Sequence, residues 1–92
     1  VRSVWLTPLL TRPDVLECVA TGLDRSLVVI GSEDSHFNPA LVEGLSRDSQ
    51  CMTLVVEGAE HSLDLPGDAA GSAMSVVTTM NAMDRFLPDN DA

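Results

Sequence analysis

Ninety-two residues with 45% apolar content suffice for one small domain with a modest core, and they are too apolar for a disordered segment. Fourteen carboxylates stand against five arginines and no lysine, giving a net charge of -9. Such a charge repels nucleic-acid phosphates and anionic lipid, so neither is an expected partner. No apolar run approaches the roughly 20 residues of a membrane helix. The opening VRSVWLTPLL has too short an apolar part, and no small-residue cleavage pattern, for a signal peptide. It does not start with Met, so Val1 need not be the native start.

In chain order, Val4-Trp5-Leu6 begins as an apolar strand and is stopped by Thr7-Pro8. Thr11 or Arg12 then precedes a helix with Pro13 at its first position, Asp14 and Glu17 in its first turn and Gly22 just past its end. Its apolar face is Val15, Leu16, Val19 and Ala20. Leu27-Val28-Val29-Ile30 is apolar without alternation, three of the four are β-branched, and Gly31 closes the run. That is the pattern of a strand buried on both faces.

Asn38 and Pro39 predict the cap and first residue of a second helix, lined by Leu41, Val42 and Leu45 and ending near Arg47. Met52 to Val56 predicts another buried strand, closed by Glu57-Gly58. A longer helix is expected from about Ala70 to Leu87, ended by Pro88, with Met74, Val77, Met80, Ala82, Met83 and Phe86 on its apolar side and its three methionines as core padding. Cys18 and Cys51 lie far apart without a motif and are expected as buried thiols in a reducing cytoplasm.

Strand alternating with helix three times predicts an α/β fold in three layers, with a parallel sheet and right-handed crossovers. Chemistry in such sheets collects beyond the carboxyl ends of the strands. The loops there are Thr7-Pro8-Leu9, GSEDSHFNP from Gly31 and GAEHSLDLPGD from Gly58. The last two hang from strands expected to be neighbours, which would bring Asp34 and His61 face to face. A carboxylate holding an imidazole is the orienting half of a nucleophilic triad. On residues alone, a turn aspartate and a loop histidine are common without any chemistry, and that is the simpler reading.

Glu33 is the rival acid, although adjacent residues at a strand end point in different directions. Glu60 and Asp64 are simplest as solvated loop carboxylates, and His36 as a structural or pocket-lining residue of the same loop. Ser62 is expected to hold its loop by a backbone hydrogen bond. These oxygen and nitrogen ligands show no H-x-x-H or H-E-x-x-H spacing, and no G-x-G-x-x-G or G-x-x-x-x-G-K loop occurs. No metal and no cofactor are expected.

The apolar strand followed by G-x-x-D and an N-P helix start resembles the acid-bearing strand of the α/β-hydrolase fold. The later strand followed by GA-x-HSL and a P-G-D loop resembles its histidine end. The likeness is greatest to small bacterial hydrolases of the esterase-like or dienelactone-hydrolase-like type, in which a segment like VWLTPLL also precedes the acid strand. It runs from Val4 to Leu87 and maps onto roughly the last third of that fold.

The family's chain order is nucleophile, acid, histidine. The resemblance therefore implies Asp34 as the acid and His61 as the base of a Ser-Asp-His triad, acting on an ester or similar acyl bond of a small molecule. No G-x-S-x-G occurs, and Gly31-Ser32 and Gly71-Ser72 both fail the pattern. Residues 1–92 are thus expected to form a partial hydrolase domain without its nucleophile or oxyanion hole. It should associate with a copy of itself or with the missing amino-terminal part. The alternative is a non-catalytic α/β binding or assembly module that only looks like a hydrolase tail.

Overall fold

The computed structural model describes residues 2–21, 25–48 and 51–87. Strands β1 (Arg2–Leu6), β2 (Arg25–Gly31) and β3 (Cys51–Val56) alternate with helices α1 (Pro13–Thr21), α2 (Pro39–Asp48) and α3 (Ala69–Phe86). The sheet is parallel in the order β1-β2-β3, with Leu6 opposite Val29 and Gly31 opposite Val56. The uninterrupted apolar run of the middle strand has a direct cause in this order. From Ser26 to Gly31 every residue of β2 is buried, because it has a strand on each side and helices above and below.

Alternation along β2 divides the core into two. Val28 and Ile30 point to one face, where they meet Leu10, Val19 of α1, and Val42 and Leu45 of α2; Trp5, Leu16, Ala20 and Leu41 pack around them. Leu27 and Val29 point to the other face and meet Phe86 of α3, with Ala82 and Met83 beside it. Two crossovers that advance across the sheet in the same direction place both their helices on one side. Helix α3, after β3, covers the other side. Three layers result.

The helix starts are local chemistry. Asn38 Oδ1 accepts hydrogen bonds from Ala40 N at 2.9 Å and Leu41 N at 3.4 Å, while Pro39 occupies the position that has no partner for an N–H. Asp68 does the same for α3, accepting from Gly71 N at 2.8 Å. Gly22 and Pro88, the expected stops of α1 and α3, lie outside the described residues.

Two expectations about burial, for Cys18 and for the methionines of α3, are corrected. Cys51 is buried, but Cys18 is exposed, since it lies outside the face of α1 that carries Leu16, Val19 and Ala20. On edge strand β1, Trp5 packs half-buried against the α1–α2 core, whereas Leu6 is exposed. The methionines of α3 are mostly not core padding. Met74 and Met80 are 60% and 59% exposed and Val77 is exposed too, whereas Ser75 and Thr79 are buried. Phe86, Met83 and Ala82 dock the carboxyl end of α3 on the sheet, and Thr79 and Ser75 follow from them at helical spacing. The stripe through Met74, Val77 and Met80 is centred about 160° round the helix from Ser75.

Among the described residues, no helix is long and apolar enough to cross a membrane.

Candidate functional site

The loops that leave β2 and β3 are stitched together before any side chain of interest is reached. Ser32 N donates to Val56 O at 3.0 Å, Glu33 N to Ala59 O at 2.9 Å, and Gly58 N to Ser32 Oγ at 2.7 Å. Gly31 makes this approach possible: a Cβ there would stand 2.1 Å from Ala59 O, well inside contact distance. Gly58 has φ of +81°, a backbone region open to glycine at no steric cost. The G in each motif is therefore explained by the backbone.

Beyond Gly31 the chain turns tightly. Asp34 N donates to Gly31 O at 3.1 Å and Phe37 N to Asp34 O at 2.9 Å. This turn aims the Asp34 carboxylate inward, and its side chain is 0% exposed. Burying a carboxylate is costly unless its oxygens are hydrogen-bonded. Both are: Oδ1 accepts from His36 N at 2.8 Å, and Oδ2 accepts from His61 Nδ1, also at 2.8 Å.

His61 comes from the turn after β3, which is closed by Leu63 N to Glu60 O at 2.8 Å and Glu60 N to Asp64 O at 2.9 Å. Leu63 is held at φ of +64°, a strained position for a branched side chain. The His61 side chain remains 53% exposed. An ionised carboxylate can only accept, so Nδ1 carries the proton and donates it to Asp34. The Nε2 lone pair is left free to take a proton from another group. A buried acid, an oriented imidazole and an open basic nitrogen make a base for proton transfer.

The other expected residues stand apart from this contact. Glu33, Glu60 and Asp64 are exposed, and of the two adjacent acids it is Asp34 that meets His61. Ser62 is exposed and, among the described residues, its hydroxyl makes no hydrogen bond, so it does not hold the loop as expected. That work falls to Ser32 and to Ser72, whose Oγ accepts from Leu65 N at 2.8 Å and donates to Asp68 O at 2.9 Å. No group of three or more His, Cys, Asp or Glu side chains among the described residues could hold a metal ion.

Sequence reasoning missed the place of His36. Its Nδ1 hydrogen-bonds Thr11 Oγ1, 25 positions earlier, at 2.5 Å, and its ring centroid lies 6.1 Å from that of His61. The contact depends on the loop after β1 lying beside the loop after β2, which no local motif announces.

No family model, no curated protein and no solved structure matches the chain.

Proposed function

We propose that these residues form the closing part of a serine-type α/β-hydrolase that cleaves an ester or similar acyl bond of a small molecule. Asp34 is the acid and His61 the base, and the nucleophilic serine and oxyanion hole come from polypeptide outside this chain. The observation that carries the reading is the contact between His61 Nδ1 and a wholly buried, doubly hydrogen-bonded Asp34 carboxylate at the mouth of two adjacent parallel strands. In such a triad the carboxylate fixes the imidazole tautomer and stabilises the imidazolium that forms when the serine gives up its proton. The resemblance of G-x-x-D-x-x-x-N-P and GA-x-HSL to the acid and histidine segments of the fold supports the assignment.

The same reading explains the uncovered side of the molecule. Leu6 on edge strand β1 and the Met74, Val76, Val77 and Met80 side chains of α3 are exposed, and the missing part of the enzyme, or a second copy, would cover them.

The test is to express the complete reading frame that encodes these residues and treat the product with a fluorophosphonate, which labels an activated serine. We expect labelling of one serine outside residues 1–92, reduced at least a hundredfold in rate by His61→Ala, and no labelling of the 92-residue chain alone. Labelling that proceeds at the same rate in the His61→Ala protein would refute the assignment.

A further inference from the structure

His36 and His61 reach the same mouth from different loops, and each has its Nδ1 engaged. His61 is held by the Asp34 carboxylate and His36 by the Thr11 hydroxyl. Each ring therefore keeps Nε2 as its one nitrogen without a partner among the described residues. The centroids are 6.1 Å apart and the ring planes tilt by 58°. Two imidazoles that share one ion, each nitrogen about 2 Å from it, stand roughly 5–6 Å apart. The observed separation lies just beyond that span.

We propose that His36 and His61 bind a first-row divalent cation, zinc being the type case, through their Nε2 atoms. Neutral imidazole is the ligand these ions favour. The partners behind the rings suit metal-binding histidines: the Asp34 carboxylate fixes the His61 tautomer and makes its Nε2 more basic, and the Thr11 hydroxyl can accept from His36 Nδ1 in the tautomer that frees Nε2. Asp34 is not itself a ligand, since both its oxygens are already taken and it is buried. No third His, Cys, Asp or Glu side chain among the described residues converges with the pair, so water fills the remaining positions. The net charge of -9 raises the local concentration of cations at the surface. An ion in this place occupies the nitrogen that the proposed hydrolase needs as its base, so it would act as an inhibitor. That consequence rests on the proposed function; the binding does not.

The experiment is a titration of zinc chloride into the 15N-labelled 92-residue chain, followed through the long-range 1H–15N signals of the histidine rings. The expected result is that the Nε2 signals of both rings move along a single saturable curve with a one-to-one endpoint. His36→Phe and His61→Ala should each weaken binding at least tenfold, and Thr11→Val several-fold. His36→Phe keeps an aromatic ring on the loop, and the backbone N–H that serves Asp34 is untouched, so an amide spectrum unchanged elsewhere separates loss of a ligand from loss of fold. Movement of one ring only, or unchanged affinity in the His36→Phe chain, would overturn the proposal. Failure of serine labelling in the full-length protein would leave this result standing, so the two ideas fail separately.

Discussion

Because the chain has neither lysine nor tyrosine, the side chains that lose a proton between about pH 8 and pH 11 are the two cysteines. Cys18 is exposed and Cys51 is buried. Burial raises the Cys51 thiol above its ordinary value of 9.0, so over this range the unfolded chain sheds a proton that the folded chain keeps. The contribution to stability is whole below the unfolded thiol's value and is lost as pH rises from there through the folded one. The urea midpoint is therefore expected to fall between about pH 8 and pH 10, and to fall less in Cys51→Ala. Equal losses in the two proteins would show that another group controls the alkaline limb. At this same scale the site was partly legible in the sequence. Asp34 and His61 were found from strand ends and motif, because their contact follows from adjacent parallel strands. The Thr11–His36 contact was not, since it depends on how two loops lie side by side in space.

At the scale of elements, α3 is the least conventional piece. It buries Ser75 and Thr79 and leaves both hydroxyls without a hydrogen-bond partner among the described residues, at a cost of about 1–3 kcal/mol each. The same helix exposes Met74, Val77 and Met80. Thr79→Val removes the orphan hydroxyl while keeping the volume, and it should stabilise the chain by about 1 kcal/mol, read as a higher urea midpoint. A loss of stability would mean that the hydroxyl has a partner, such as a buried water. The six elements were legible because caps and breakers are local: Asn38-Pro39 and Gly31 act within a few residues of themselves. Which side of α3 faces the sheet was not legible. Apolar periodicity marked the methionine stripe, but the rotation of the helix is set by Phe86 and Met83 docking on Leu27 and Val29.

For the whole molecule, two features oppose each other. The charge of -9 keeps copies apart, though screening limits that repulsion to about 10 Å at 0.1 M salt. Against it stands α3, which carries no charged residue from Ala69 to Met83 and presents Met74, Val76, Val77 and Met80 to solvent. Among the described residues β1 pairs with β2 alone and leaves an open edge of the kind that recruits another chain. The isolated chain is expected to sediment as more than a monomer at micromolar concentration, more completely as salt is raised. Met74→Glu combined with Met80→Glu should shift it to monomer. A native chain that is strictly monomeric at every salt concentration would remove the argument that these surfaces await a partner. The three-layer parallel arrangement was legible from alternating buried strands and helices alone, because crossover topology leaves few alternatives.

The proposed chemistry needs a buried carboxylate that fixes one imidazole and leaves its outer nitrogen free. The direct measurement is the protonation pattern of His61, read from long-range 1H–15N couplings of the metal-free chain at neutral pH. With Asp34 Oδ2 2.8 Å from Nδ1, the predicted result is a proton on Nδ1 and a bare Nε2, with this preference lost in Asp34→Ala. A His61 ring that carries its proton on Nε2 would contradict the account, since an imidazole in that form cannot accept a proton from a serine while donating to Asp34.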